Sequence, residues 1–277
     1  MSDRYAVMGH PISHSRSPFI HNEFARQMAM DIEYTAIDVA PGTFNQAVKT
    51  FHQLGGKGLN ITVPYKQEAW ELVDERSHRA ELAGAVNTIR CNDDGTLYGD
   101  NTDGIGLLRD LTMNLDMSLH QKRILVLGAG GAVRGVLVPL LEQGPKQLVV
   151  ANRTVSKAVE LAQQFGSISP MLGCGFDDLD GQQFDIIING TAASLGGDIP
   201  QIPAAVCKDA SHVYDMMYAR DPTAFMVWAR EQGAESVSDG LGMLVEQAAE
   251  SFFVWRGVLP DTAPVIAAVR QALMAGK

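Results

Sequence analysis

Four apolar runs in the second half of the chain show no polar–apolar alternation: RILVLG (123–128), QLVVANR (147–153), FDIIING (184–190) and HVYDMMY (212–218). A strand with one wet face alternates, so a strand without alternation is covered on both faces, as in a parallel sheet between helical layers. A shorter run, ESVSDG (235–240), closes the series, and helical stretches lie between several of the members. This βαβ alternation predicts a doubly wound α/β sheet.

The first hundred residues mix strand and helix signals differently. RYAVMG (4–9), EYTAIDV (33–39) and Asn60 to Val63 have strand character, the last stopped by Pro64. Helical spacing covers Pro18 to Met30, Thr43 to Leu54, Glu68 to Val73 and Arg76 to Ala83. AVNTIRC (85–91) and TLYG (96–99) flank NDDG, a hairpin-type turn signal. Asp103 is placed as the N-cap of a helix running to about Asp116. The closing helices, Gly242 to Arg256 and Thr262 to Met274, have no strand after them. They are expected to pack back on the first domain and make it discontinuous.

A chain of 277 residues accommodates two small domains or one large one, and 46% hydrophobic with 19% charged residues is ordinary for a globular protein. The net charge of −10 argues against a nucleic-acid or anionic-membrane surface, while leaving room for a local basic pocket. Cys91, Cys174 and Cys207 are far apart and odd in number, which points to a reduced, cytoplasmic protein without a disulfide framework or thiolate zinc site. The opening MSDRYAVMGH has no signal-peptide h-region, and no apolar run reaches the length of a membrane span.

The stretch VLGAGGAVRGV (126–136) follows a buried strand and opens a helix. Gly128 suits the tight turn, and Gly130 lets the backbone approach a pyrophosphate at the helix N-terminus. The third glycine of the usual pattern is Val133 here, so the loop alone is weak. Its context sharpens it. The next strand ends in Asn152, Arg153 and Thr154 instead of the acid that accepts from a ribose 2′-hydroxyl, with Lys157 one turn on. A missing acid beside a guanidinium fork points to the 2′-phosphate of NADP.

Further motifs line up in one order: GHPISHSRSPFIHN (9–22), GLNITVPYK (58–66), AGAVNTI (83–89), GDNTDGIG (99–106), DMMYARDPT (215–223) and DGLGMLVEQAAESFFVW (239–255). With the glycine loop and NRT they span almost the whole chain, and together they strongly resemble the shikimate dehydrogenase family. The resemblance implies reversible, NADPH-dependent reduction of 3-dehydroshikimate to shikimate, on the route to aromatic amino acids. It implies an α/β fold: an N-terminal α/β substrate domain (1–103 and 242–277) plus a Rossmann-like doubly wound NADP-binding domain (104–241).

By the same resemblance, Lys66 and Asp103 form the catalytic proton-transfer pair. Ser15 and Ser17, with Tyr218, bind the substrate carboxylate. Asn60, Thr62, Asn87, Asp103 and Gln247 contact ring hydroxyls or shape the pocket. The cofactor is assigned to Gly128, Ala129, Gly130, Gly131, Ala132, Asn152, Arg153, Thr154, Lys157, Thr191, Met216 and Gly240. Hydride transfer to a ketone builds charge on oxygen that an ammonium stabilises and protonates, which gives Lys66 its chemistry. A dense set of amides and hydroxyls suits a polyol, because each unmatched buried polar group costs about 1–3 kcal/mol.

Substrate and cofactor motifs lie in separate segments, so a site between two domains is expected, with Gln247 returned to the first. Expected partners are the small-molecule substrate and a second copy of the chain in a homodimer, with no nucleic acid and no membrane. His10, His14 and His21 are separated by Pro11 and Pro18 and joined by no carboxylate or Cys, so no metal site is assigned. His78 stands where some relatives carry an acid near the nicotinamide. Two alternatives compete: a quinate/shikimate dehydrogenase using NAD or both cofactors, and a non-catalytic NADP- or substrate-sensing protein.

Overall fold

The computed structural model describes residues 2–191, 193, 197–208 and 210–276. It divides into two compact units, Met1–Gly106 with Leu244–Ala272, and Leu107–Met243 with Leu273–Lys277.

In chain order, the first unit contains β1 (Asp3–Gly9), α1 (Ser17–Gln27), β2 (Ile32–Asp38), α2 (Phe44–Gln53), β3 (Gly56–Ile61), α3 (Lys66–Leu72), β4 (Glu75–Arg76), α4 (His78–Ala83), β5 (Thr88–Cys91), β6 (Leu97–Asp100) and the start of α5 (Asp103–Arg109). The sheet order is β2-β1-β3-β5-β6-β4. β1 is parallel to both neighbours, whereas β5 runs antiparallel to β3 and β6. Along β1 successive side chains take opposite faces: Ala6 and Met8 join a core with Phe44, Val48, Phe51 and Tyr65, while Tyr5 and Val7 pack with Ile12, Tyr34 and Trp255. The hairpin expected at NDDG joins β5 and β6.

The second unit continues with β7 (Arg123–Leu127), α6 (Gly131–Glu142), β8 (Gln147–Ala151), α7 (Val155–Phe165), β9 (Met171–Cys174), β10 (Ile186–Asn189), β11 (His212–Asp215), α8 (Ala224–Glu231) and β12 (Val237–Asp239). All six strands are parallel, in the order β12-β11-β10-β7-β8-β9. The chain progresses outward from β7 in one direction and then returns to start the other half at β10. The adjacent β7 and β10 are therefore the topological switch point, where doubly wound sheets bind ligands at the strand C-termini. Then follow α9 (Leu241–Arg256) and α10 (Ala263–Met274).

Several expectations require correction. The strand expected over Asn60–Val63 is Gly56–Ile61, and Thr62, just past its end, donates its N–H to Met8 O of β1 at 3.0 Å. β9 was absent from the sequence reading, because MLGC is a short edge segment with a glycine inside it. Asp103 is the first residue of α5, not its cap, and its N–H donates to Asn101 Oδ1 at 3.2 Å. The helix expected to reach Asp116 changes to a π-turn over Asp110–Asn114. There the buried Asp110 carboxylate accepts from Tyr214 OH at 2.6 Å and from the Met243 N–H at 3.1 Å.

Among the described residues no helix is long and apolar enough to cross a membrane. His21, the last of the three N-terminal histidines, is 1% exposed and stacks on Tyr34 at 4.3 Å, beside Phe24, Phe252 and Trp255. Neither ring nitrogen has a partner at hydrogen-bond geometry. Burial pushes its pKa from 6.5 down to about 3, and the neighbouring Asn60 amide offsets this only in part. Above pH 6.5 native and unfolded chains both hold His21 neutral; below it only the unfolded chain takes up the proton, so stability falls as pH drops toward 3. At about 1.4 kcal/mol per pH unit, the penalty reaches about 2 kcal/mol between pH 7.5 and pH 5. His21→Phe should remove that slope. Urea midpoints of wild type and variant, compared across this range, will show it.

Candidate active site

β3 delivers Asn60 and Ile61 to the end of the sheet, and the turn Thr62–Tyr65 then places Lys66 as the first residue of α3. Tyr65 anchors that turn: it is 1% exposed, stacks on Phe44, and donates its hydroxyl to Val39 O at 2.6 Å. From the next connection, β6 to α5, Asp103 projects toward the same point. Lys66 Nζ lies 2.5 Å from Asp103 Oδ2, with the side chains 24% and 10% exposed. The partly desolvated setting strengthens their attraction over that of a surface pair and leaves the ammonium accessible.

The other carboxylate oxygen, Oδ1, accepts from Asn87 Nδ2 at 2.8 Å. Asn87 cannot be turned round, because its Oδ1 accepts the Thr102 backbone N–H at 2.9 Å and a backbone N–H only donates. A buried polar layer extends from there. Thr88 and Thr102 hydroxyls lie 2.9 and 3.1 Å from Asn87 Oδ1, and Ser251 on α9 lies 2.7 and 3.2 Å from the two threonines. Asn60 donates to Ser251 Oγ at 2.9 Å and accepts the Tyr34 phenol at 2.7 Å. Gln247 enters the same layer from α9, with Oε1 3.5 Å from Asn87 Nδ2 and its Nε2 donating to Leu244 O at 2.7 Å. This approach depends on Gly106: a Cβ there would stand 2.6 Å from Gln247 Cβ.

Beside this layer, Arg79 holds Asp100 through two bonds at 2.7 and 2.6 Å and Glu250 on α9 at 2.8 Å. The first unit therefore brings together Lys66, Asp103, Asn60, Asn87 and Gln247. Ser15 and Ser17 sit half-buried at the start of α1, where the Ser17 N–H donates to Ser15 Oγ at 3.3 Å, and Thr62 is half-buried in the turn before Lys66. Tyr218 belongs to the second unit, beyond β11, and His78 is exposed at the start of α4.

In the second unit Gly128 follows β7 with φ +106°, a conformation that L side chains rarely adopt, and a Cβ would sit 3.2 Å from Gly190 O. At Gly130 and Gly131 a Cβ would meet no atom within 4 Å, so the loop borders open space. No side chain caps α6, which leaves its first N–H groups available to an anion. Ala129 is half-buried and Ala132 exposed within this loop. At the end of β8, Asn152 bonds back to Thr154 O at 2.9 Å, while Arg153, Thr154 and Lys157 are exposed. Uncapped N–H groups, open glycines and exposed basic side chains fit a dinucleotide carrying an extra phosphate. At the ends of β10 and β11, Asn189 accepts from Thr191 Oγ1 at 2.7 Å and donates to Asp215 at 3.1 Å. Asp215 in turn accepts the Met217 N–H and the Thr223 hydroxyl. This buried cluster fixes the backbone around Thr191 and Met216, and Gly240 packs directly on Met216 O, 2.2 Å from where a Cβ would stand.

Three family models match the chain in sequence: a shikimate dehydrogenase substrate binding domain over residues 7–89, a shikimate / quinate 5-dehydrogenase over 110–196, and a shikimate 5'-dehydrogenase C-terminal domain over 240–270. The shikimate dehydrogenase (NADP(+)) of Hahella chejuensis is 57% identical over 269 residues, covering 97% of this chain and 99% of the relative. The chain belongs to the shikimate dehydrogenase family. A crystal structure of an Ael1 enzyme from Pseudomonas putida superposes with TM-score 0.93 at 49% identity, covering 96% of this chain and 98% of that one. The shikimate 5-dehydrogenase of Thermus thermophilus, solved with NADP(H) and shikimate, superposes with TM-score 0.87 at 33% identity, covering 98% of this chain and all of that one. Within this family member, Asp103 and Tyr218 fall between the spans that the three models match.

The sequence reading missed Tyr34, Thr88, Thr102 and Ser251. A polar residue on a buried strand (Thr88) and the polar face of a mostly apolar helix, Gln247, Glu250 and Ser251, carry a signal, but only tertiary pairing shows that they meet. Replacing Asn87 by the near-isosteric Leu orphans the Thr102 N–H, which has no exposure to water. Asn87→Leu should therefore cost about 1–3 kcal/mol of stability, read as a lower urea midpoint at unchanged m-value.

Proposed function

We propose that the chain catalyses the reversible, NADPH-dependent reduction of 3-dehydroshikimate to shikimate, a step toward the aromatic amino acids. The first unit takes the substrate and the second takes the cofactor. The observation that carries this reading is the Lys66–Asp103 pair at 2.5 Å, set at the edge of a layer of amides and hydroxyls.

The cofactor, when bound, supplies the hydride that adds to the carbonyl carbon. The chain acts at the oxygen. As the ketone becomes an alcohol, Lys66 Nζ donates the proton that oxygen requires; in the oxidative direction it accepts the hydroxyl proton. Asp103 Oδ2 holds the ammonium in place, and Asn87 keeps the carboxylate from rotating away by occupying Oδ1. Such fixed charges need no reorganisation as the reaction proceeds. Ser15 and Ser17, with Tyr218, are read as hydroxyl donors for the substrate carboxylate. Thr62 and Gln247 are read as partners of the ring hydroxyls, while Asn87, whose amide is spent on Asp103 and Thr102, shapes the pocket. Asn60 spends both amide protons on protein acceptors, so it serves chiefly to shape the pocket.

For the cofactor, the N-terminus of α6 with Gly128, Ala129, Gly130, Gly131 and Ala132 is read as the pyrophosphate site. Asn152, Arg153, Thr154 and Lys157 receive the 2′-phosphate, while Thr191, Met216 and Gly240 border the nicotinamide end. The three cysteines are free, in keeping with a cytoplasmic enzyme.

The direct test is purified protein with shikimate and NADP⁺, followed by the near-ultraviolet absorbance of NADPH; no signal would leave the binding-protein alternative standing. Lys66→Ala should lower kcat by about 10²–10⁴-fold with a much smaller change in shikimate binding. A variant with normal kcat and only a raised KM would reduce the lysine to a binding role. Arg153→Ala removes one charge-assisted contact worth about 1.5–3 kcal/mol, so KM for NADPH should rise about ten- to a hundredfold while that for NADH hardly moves. Equal weakening of both cofactors would place Arg153 on the shared adenosine or in the fold.

A further inference from the structure

Helix α9 carries Gln247, Glu250 and Ser251 on one face, since residues three and four apart share a side of a helix. Gln247 belongs to the expected site and Glu250 to the Arg79 ion cluster, but Ser251 has no role so far. It is fully buried, yet its hydroxyl is the meeting point of the polar layer: Asn60 Nδ2 lies at 2.9 Å, Thr88 Oγ1 at 2.7 Å, Thr102 Oγ1 at 3.2 Å and Gln247 O at 3.0 Å.

Counting protons shows what this junction does. Asn87 Nδ2 has two: one goes to Asp103 Oδ1 and the other to Thr102 Oγ1 at 3.0 Å. Ser251 Oγ gives its one proton to the helical carbonyl of Gln247, so its two lone pairs take the protons of Asn60 Nδ2 at 2.9 Å and of the Thr88 hydroxyl at 2.7 Å. The Thr102 hydroxyl, already an acceptor from Asn87 Nδ2, sends its own proton to Asn87 Oδ1 at 3.1 Å, beside the Thr102 N–H. Without Ser251 Oγ, the Thr88 proton turns to Asn87 Oδ1 at 2.9 Å, where it competes with the two Thr102 donors. That competition pulls on the amide that holds Asp103.

We infer that Ser251 is a positioning residue for proton transfer, acting through Thr88 and Asn87 to hold the Asp103 carboxylate against Lys66. The inference rests on the reaction proposed above. It makes no contact with the reacting atoms, and it predicts a defect in kcat that depends on Asp103.

The test begins with wild-type turnover of shikimate with NADP⁺; if wild type is inactive, the reaction is wrong and the Ser251 role falls with it. Given an active wild type, Ser251→Ala should lower kcat about five- to tenfold, with KM for NADP⁺ unchanged. Ser251→Cys, which fills the same space with a weak hydrogen-bonding group, should behave in the same way and guards against a folding defect in the alanine variant. The deciding measurement is the double-mutant cycle. On an Asp103→Asn background, Ser251→Ala should cost almost nothing further in kcat. Normal kcat in both single variants, or the same fold loss on the Asp103→Asn background, would overturn the inference and make Ser251 a packing residue.

Discussion

A backbone N–H has no choice of role, and the Thr102 N–H bonded to Asn87 Oδ1 sets the direction of every hydrogen bond around it. Once that oxygen is assigned, Asn87 Nδ2 must face Asp103, and one carboxylate oxygen is committed before the lysine arrives. The other oxygen then has a single charged partner. In this way an uncharged residue just before β5 decides the geometry of an ion pair, and the dense packing of β5, the β6–α5 connection and α9 keeps it so. The same bond also joins fold to chemistry, because the strand pairing that aligns Thr88 with Asp100 is what brings Thr102 within reach of Asn87.

Much of the fold was legible because its signals are local. The unalternating runs 123–128, 147–153 and 184–190 became central parallel strands, as burial on both faces requires. β9 was not legible: MLGC has neither the length nor the β-branched content of a central strand, and its place at the sheet edge comes from pairing with β8. The N-terminus of α5 shows a different limit. An Asp before a helical run has the signature of a cap, yet Asp103 gives its oxygens to a lysine 37 residues away in sequence and to Asn87. Local propensity cannot see such a competitor.

The candidate site divides along the same line. Lys66, Asp103 and Asn87 stand in contiguous motifs, so their meeting follows once the strands are ordered. Tyr34 lies outside the family motifs, and Thr88, Thr102 and Ser251 sit inside them with nothing in their own residue types to single them out, so all four gain meaning only from their mutual distances. In the second unit the glycine loop was readable from residue types alone, since φ +106° at Gly128 is a requirement that an amino-acid type can announce. The Asn189–Asp215–Thr223 cluster that braces the neighbouring strand ends was not, because it joins the tips of β10 and β11 to the start of α8.

The discontinuity of the first unit has a consequence for the order in which it can be made. Its amide and hydroxyl at Asn60 and Thr88 find their last acceptor on α9, which is translated only after all six strands of the second unit. A nascent chain ending near Gly106 has all six strands of the first sheet but lacks Ser251, Phe252 and Trp255, so one face of that sheet stays wet and its polar groups bind water. The first unit is thus begun first but completed only after the second sheet has emerged, and during synthesis it waits, partly solvated.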